Sequence, residues 1–250
     1  MNSVRFFTLL QKECMRFLKV YNQTVISPVI NALIFFAIFT IAFGGRATTM
    51  SGESYAAIVV TGLVAMSALQ AAYQNTQATI TVAKLLGFIK DYTMTPLTNA
   101  EIIIAMTLAS MIRAFLVAIA TYIATIPFVT LHPHNIFLAF YYITAGCVVF
   151  SFVGILVGFA SSDFDKAHAY TSYIITPLTM LSGTFYSITS MPPAWQKFVL
   201  LNPVFYIIEG FRFGMTGVGG NHIYGALAIF ALIPIFGIWA ANSIRKGLRV

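Results

Sequence analysis

Six apolar runs, at about 24–43, 55–80, 100–129, 136–160, 170–188 and 223–243, make up most of this 250-residue sequence. A helix needs roughly 20 apolar residues to cross about 30 Å of hydrocarbon, so each run is long enough, or nearly so, to span a membrane. A chain with six such runs cannot hide them all in one water-soluble core. Only 8% of the residues are charged and 59% are hydrophobic, against about 25% charged in soluble domains. The expected fold is therefore an all-α membrane protein with six transmembrane helices.

That setting changes the meaning of the net charge of +7. In a soluble protein it would point to nucleic acid; in a membrane protein, Lys and Arg collect in cytoplasmic loops. With the N-terminus inside, the cytoplasmic side receives ten positive residues, and the opposite side three, Arg46, Lys197 and Arg212. Both termini are therefore expected to be cytoplasmic. Cys14 and Cys147 fall in different settings, which argues against a disulfide framework. Residues 1–20 lack the compact apolar core and small-residue cleavage site of a signal peptide.

The segment before the first run carries Phe6, Leu9, Leu10, Phe17 and Leu18 among Arg5, Lys12, Arg16 and Lys19. Apolar residues at helical spacing beside positive charges describe an amphipathic helix over 1–22 that lies at the membrane surface. Residues 82–99 form the longest inner connection. There Lys84, Leu85, Leu86, Phe88, Ile89 and Asp91 read as a short amphipathic helix ended by Pro96. Exposed apolar anchors beside charges suit a docking element, although a plain connecting turn would read the same way. The other inner loop carries Asp163, Asp165, Lys166 and His168. Two carboxylates and one His fall far short of a metal site, so this loop is either a second partner contact or solvated chain. His132 and His134 beside Pro133 are likewise turn residues.

Polar side chains inside the spans are costly and therefore informative. Ser67, Gln70, Gln74, Gln77 and Thr81 follow at spacings of three, four, three and four, which puts them on one helical stripe. That stripe faces either another helix or a wet pathway. Arg113 is the one charge deep in a span, a candidate for the pathway or for inter-helix structure. Gly154 and Gly158 permit close helix packing.

The last third of the sequence is broken in a particular way. Pro177 and Gly183 interrupt the fifth run, and Met191, Pro192 and Pro193 stop it. The following apolar stretch is cut by Asn202–Pro203, so neither half is long enough to cross. Irregular backbone at membrane depth needs protein or a water-lined cavity around it. A re-entrant helical hairpin over 191–213 is therefore expected between spans five and six. Glu209 and Arg212 are three apart and can pair on one face, either as a structural lock or as a polar gate.

Four blocks in this region, Pro177 to Tyr186, Met191–Pro192, Leu201 to Tyr206 and Glu209 to Arg212, together resemble the C-terminal signature of type-2 ABC transporter permeases. These are the membrane subunits of bacterial exporters of polysaccharides, lipo-oligosaccharides, teichoic acids and drugs, and the layout agrees over essentially the whole chain. The resemblance implies a single permease domain over 1–250 that pairs as a homodimer, with the N-terminal helix at the interface near an ATPase. It makes the 82–99 loop a coupling helix seated on that ATPase, present in two copies, and it implies alternating access in the inner membrane. No G-x-x-x-x-G-K-[ST] phosphate loop occurs in the sequence, so ATP and Mg are expected on the separate ATPase subunit, and the chain itself is expected to bind no cofactor or metal and to catalyse nothing. The substrate reading is a lipid-linked glycan or other amphipathic molecule, with small hydrophobic drugs as the alternative. An ion-coupled secondary transporter would need intramembrane carboxylates, of which the spans contain almost none. An intramembrane enzyme would need a nucleophile set, and Cys147 stands alone.

Overall fold

A computed structural model of the protein describes residues 3–43, 54–88, 97–129, 131, 133–188, 191–218 and 222–247. Among these residues every regular element is helical. The chain opens with α1 (Ser3–Lys19), a π-helical turn at Asn22–Ile26 and α2 (Ser27–Phe43). The long helices α3 (Tyr55–Leu85), α4 (Asn99–Thr125) and α5 (Ile136–Ala160) follow. Next come α6 (Phe164–Tyr170), a second π-helical turn at Thr171–Ile175, and α7 (Thr176–Met180). The broken pair α8 (Pro193–Leu201) and α9 (Pro203–Thr216) precedes α10 (His222–Gly247). Among the described residues, five stretches are long and apolar enough to cross a membrane, and a sixth if α8 and α9 count as one bent span.

Helix starts follow local chemistry. Thr98 and Glu101 form a capping box at α4, satisfying two of the orphan amides at a helix N-terminus. Asn135 accepts from the Leu138 amide to cap α5, and Asp163 accepts from the Lys166 amide to cap α6. The Ser162 hydroxyl and then that amide hold the Asp163 carboxyl below its ordinary pKa.

Both π turns sit just ahead of a proline, Pro28 and Pro177. A proline ring clashes with the carbonyl four residues back and offers it no N–H. Widening the turn relieves that clash, and the amides of Ser27 and Thr176 reach back five residues, to the Asn22 and Thr171 carbonyls. The fifth apolar run differs from the expected 170–188. Its helix starts earlier, behind the Asp163 cap, and stops at Met180. From there the chain turns through Gly183, whose φ of 76° lies in the left-handed region that favours glycine.

α3 is the centre of the molecule. Its most apolar window is 89% buried, against 11% for the α2 span and 17% for that in α10. α4 and α5 pack along it, joined by polar bonds in the core. The Ser110 and Ser151 hydroxyls lie 2.8 Å apart, and the Thr76 hydroxyl donates to the Ser151 carbonyl at 2.9 Å. The Gly154–Gly158 pair brings α5 against α3: a methyl on Gly154 would strike the Tyr73 carbonyl, and one on Gly158 would meet Ile80. Gly62 on α3 abuts the Thr184 backbone in the same way. Close backbone approach is the reason these residues are glycine.

Candidate functional site

The glutamine stripe on α3 is in place, and each member has a distinct partner. Ser67 lies 3.4 Å from the Thr121 hydroxyl. Gln70 donates to the Thr179 hydroxyl at 3.0 Å, tying α3 to α7. The Gln74 oxygen accepts from Arg113 at 3.5 Å, and Gln77 donates to Thr81 at 3.0 Å. Gln70, Gln74 and Gln77 are half-buried, whereas Ser67 and Thr81 are buried.

Arg113 is 5% exposed, and its Nε donates at 3.4 Å to the Thr24 carbonyl in the first π turn. Thr24 is four residues before Pro28, so its carbonyl is the one that proline cannot serve in α-helical register. The guanidinium thus joins α4 to the bend ahead of α2 and to Gln74 on α3. These two acceptors lower the cost of burying the charge.

A pocket of ≈ 470 Å³ opens between the first π turn, α2 and α3. Ser67, Gln70 and Gln74 contribute the α3 wall. Gln23, Ser27 and Asn31 face them from the other side, and all three are exposed. Their spacing of four, in a stretch that also carries Asn22 and Thr24, is the sequence signal for a second polar stripe that hydropathy alone does not reveal. Gln77 and Arg113 do not line the pocket.

On α1, Glu13 is 1% exposed. It pairs with Arg16 at 3.1 Å and accepts from the Thr79 hydroxyl at 2.9 Å. Arg16 also donates to the Asn75 carbonyl at 3.0 Å and to its side-chain oxygen at 3.1 Å. The amphipathic N-terminal segment is therefore anchored to α3 through buried polar groups. Spacing alone does not announce this, because only the fold brings Asn75 and Thr79 to α1. Burial, followed by the neighbouring Glu13 charge, raises the Cys14 thiol pKa.

At the end of α3, Lys84 turns toward α5 and donates to the Phe159 and Ser161 carbonyls at 2.8 and 2.5 Å. It thereby satisfies orphan carbonyls at the end of α5. Leu85, Leu86 and Phe88 are exposed, at 44%, 60% and 53%, and Gly87 takes a left-handed φ of 75°. Ile89 and Asp91 lie outside the described residues, as do Pro96, Arg46 and His132. In the other loop Asp165 and Lys166 are exposed and Asp163 is half-buried. His134 packs edge-on against Phe213.

The broken pair turns by 96° at Asn202, where the sequence placed the break. Pro192 is exposed and precedes α8, and Pro203 opens α9. The buried Asn202 donates to the Leu178 carbonyl and the Ser182 hydroxyl, both at 2.7 Å, while its oxygen caps the Val204 amide at 3.0 Å. Arg212 is 3% exposed. It donates to Glu209 at 2.6 Å, to the Gly183 carbonyl at 2.5 Å and to the Thr61 hydroxyl at 3.4 Å. Two side chains of the broken pair therefore grip the loop that ends α7, and one of them also reaches α3.

Three of the four blocks quoted from the sequence, Pro177 to Tyr186, Leu201 to Tyr206 and Glu209 to Arg212, are joined by these bonds, and all four lie within the span that a family comparison matches. Residues 4–216 match the family described as ABC-2 type transporter. The chain belongs to the ABC-2 type transporter family. It is similar to the inner membrane transport permease YadH of Escherichia coli (strain K12), 32% identical over 241 residues covering 95% of this chain and 94% of that protein. It is also similar to nodulation protein J of Neorhizobium galegae, 25% identical over 75% of this chain and 73% of that protein. Nodulation protein J of Rhizobium meliloti is 23% identical over 87% of this chain and 85% of the relative.

Proposed function

We propose that this chain is the membrane-spanning permease of an ATP-driven exporter in the inner membrane, powered by a separate ATPase subunit that holds ATP and Mg. The observation that carries the reading is the family match over residues 4–216, in a chain built of long apolar helices around a central α3. The YadH name supports the inner-membrane location. The excess of Lys and Arg on one side of the spans supports cytoplasmic termini. Two copies of the chain and two ATPase subunits form the working assembly, and ATP-driven closure of the ATPases switches the permeases between two states.

Within that assembly, the apolar tip Leu85–Leu86–Phe88 docks on the ATPase. Lys84 bonds the tip to the end of α5, so the tip and the loop carrying Asp163, Asp165 and Lys166 move as one unit. α1 lies along the membrane surface beside them, tied to α3 through Glu13 and Arg16. α8 and α9 form a re-entrant hairpin at the outer side, with Glu209, Arg212 and Asn202 as its lock. The α3 stripe, Gln70, Gln74 and Gln77, lines the pathway, and Arg113 holds its shape from behind. The cargo is an amphipathic molecule such as a lipid-linked glycan.

Affinity capture of the tagged protein in mild detergent tests this reading. The expected result is recovery of a second polypeptide that hydrolyses ATP. Recovery of the chain alone, from cells that express the whole transporter, would refute it.

A further inference from the structure

The pocket between α2 and α3 has a composition that selects for one chemistry. No lining residue is Asp, Glu, Lys, Arg or His. Gln23, Ser27 and Asn31 on one side face Ser67, Gln70 and Gln74 on the other, while Ile30, Ile34, Phe35, Leu63 and Met66 provide apolar wall. Its volume of ≈ 470 Å³ falls within the range of about 300–1,000 Å³ typical of small-molecule sites.

The polar groups on α3 are oriented by what lies behind them. Gln70 gives one of its two N–H donors to Thr179, which orients the amide and leaves its carbonyl oxygen as an acceptor. Gln74 spends its oxygen on Arg113, which leaves its NH₂ as a donor. Among the described residues, Gln23 and Asn31 make no side-chain hydrogen bond and contribute both kinds of group. Ammonium heads carry donors only and sulfate heads carry acceptors only, so each would leave part of this set unpaired. A hydroxyl both donates and accepts. Amides left unpaired at membrane depth are costly, and lipid tails cannot satisfy them.

We propose that this pocket binds the uncharged, hydroxyl-bearing head of an amphiphile, with its aliphatic chain along Ile30, Ile34 and Phe35, entering from the side between α2 and α3. That the bound molecule is cargo rests on the permease reading above; the binding site itself does not.

The test is photolabelling of the full-length protein in lipid nanodiscs without ATPase, using three diazirine probes of equal chain length: an alkyl glucoside, an alkyl sulfate and a primary alkylammonium. The glucoside probe is expected to label peptides covering 22–35 and 63–74, and excess unlabelled alkyl glucoside to compete it away. The sulfate and ammonium probes are expected to label those peptides about tenfold less. Asn31→Leu with Gln70→Leu is expected to reduce glucoside labelling about tenfold, the effect of leaving a polar partner unsatisfied. Comparing the three heads on the unaltered protein needs no variant, so a misfolded variant does not blunt the test.

Equal labelling by all three probes would overturn the proposal. So would protection of these peptides from all three, as when a second copy of the chain covers the stripe. Because ATPase capture is measured separately, loss of this site with the ATPase still recovered would leave the permease reading standing.

Discussion

Arg212 and Asn202 show how two side chains can hold an irregular stretch of chain between helices. Truncating Arg212 to Ala would remove the guanidinium from Glu209, from the Gly183 carbonyl and from the Thr61 hydroxyl. Removing one member of a buried ion pair costs about 3–5 kcal/mol, so Arg212→Ala is expected to lower the thermal midpoint of the purified protein sharply. A midpoint equal to wild type would remove the lock. Asn202 permits a finer test. Asp caps a helix as well as Asn does, so Asn202→Asp keeps the bond to the Val204 amide while turning an oxygen toward the Leu178 carbonyl. If gripping that loop is its main role, Asn202→Asp is expected to destabilise more than Asn202→Ser, measured by the same melt. The pairing of Glu209 with Arg212 was legible from their spacing of three. What Asn202 holds was not, because Leu178 and Ser182 become its neighbours only when the chain doubles back.

Among the elements, α3 was read most completely. Its glutamine stripe followed from helical spacing, and the structure gives each glutamine a partner. The broken pair was legible too, since proline acts locally at 203. The fifth apolar run was harder. Hydropathy marks where a chain is apolar but not where a helix is capped, and the Asp163 cap moved its start into the polar loop. The burial of Glu13 was illegible, as charge on an N-terminal helix ordinarily means solvent. The close approach of α3 to the turn after α7 yields a further expectation. Gly62→Ala would drive a methyl into the Thr184 carbonyl, costing about 1–3 kcal/mol as overpacking does. Its midpoint should fall while an alanine at Gly87, where nothing lies within 4 Å of the added carbon, pays only for its left-handed backbone, roughly 1–2 kcal/mol. If Gly62→Ala melts like wild type, the packing described for α3 is wrong.

On the scale of the whole molecule, the family match fixes the class of machine, and the geometry divides it between a buried centre and an exposed tip at Leu85, Leu86 and Phe88. Lys84 links the two, since its ammonium ties the end of α3 to the end of α5 while the three apolar residues beside it face outward. If that tip docks on the ATPase as proposed, Lys84→Met is expected to keep the ATPase bound yet weaken the coupling of hydrolysis to transport, because the exposed apolar residues remain and their anchor is lost. The most direct measurement is the ATPase activity recovered with the captured protein, compared between wild type and Leu85→Glu with Phe88→Glu. If the exposed tip is the docking element of an ATP-driven permease, the wild type brings down an active ATPase and the double variant loses it while still running as a monodisperse membrane protein. Undiminished ATPase recovery with both charges in place would contradict the docking assignment, and absence of any ATPase from the wild-type capture would contradict the permease reading itself.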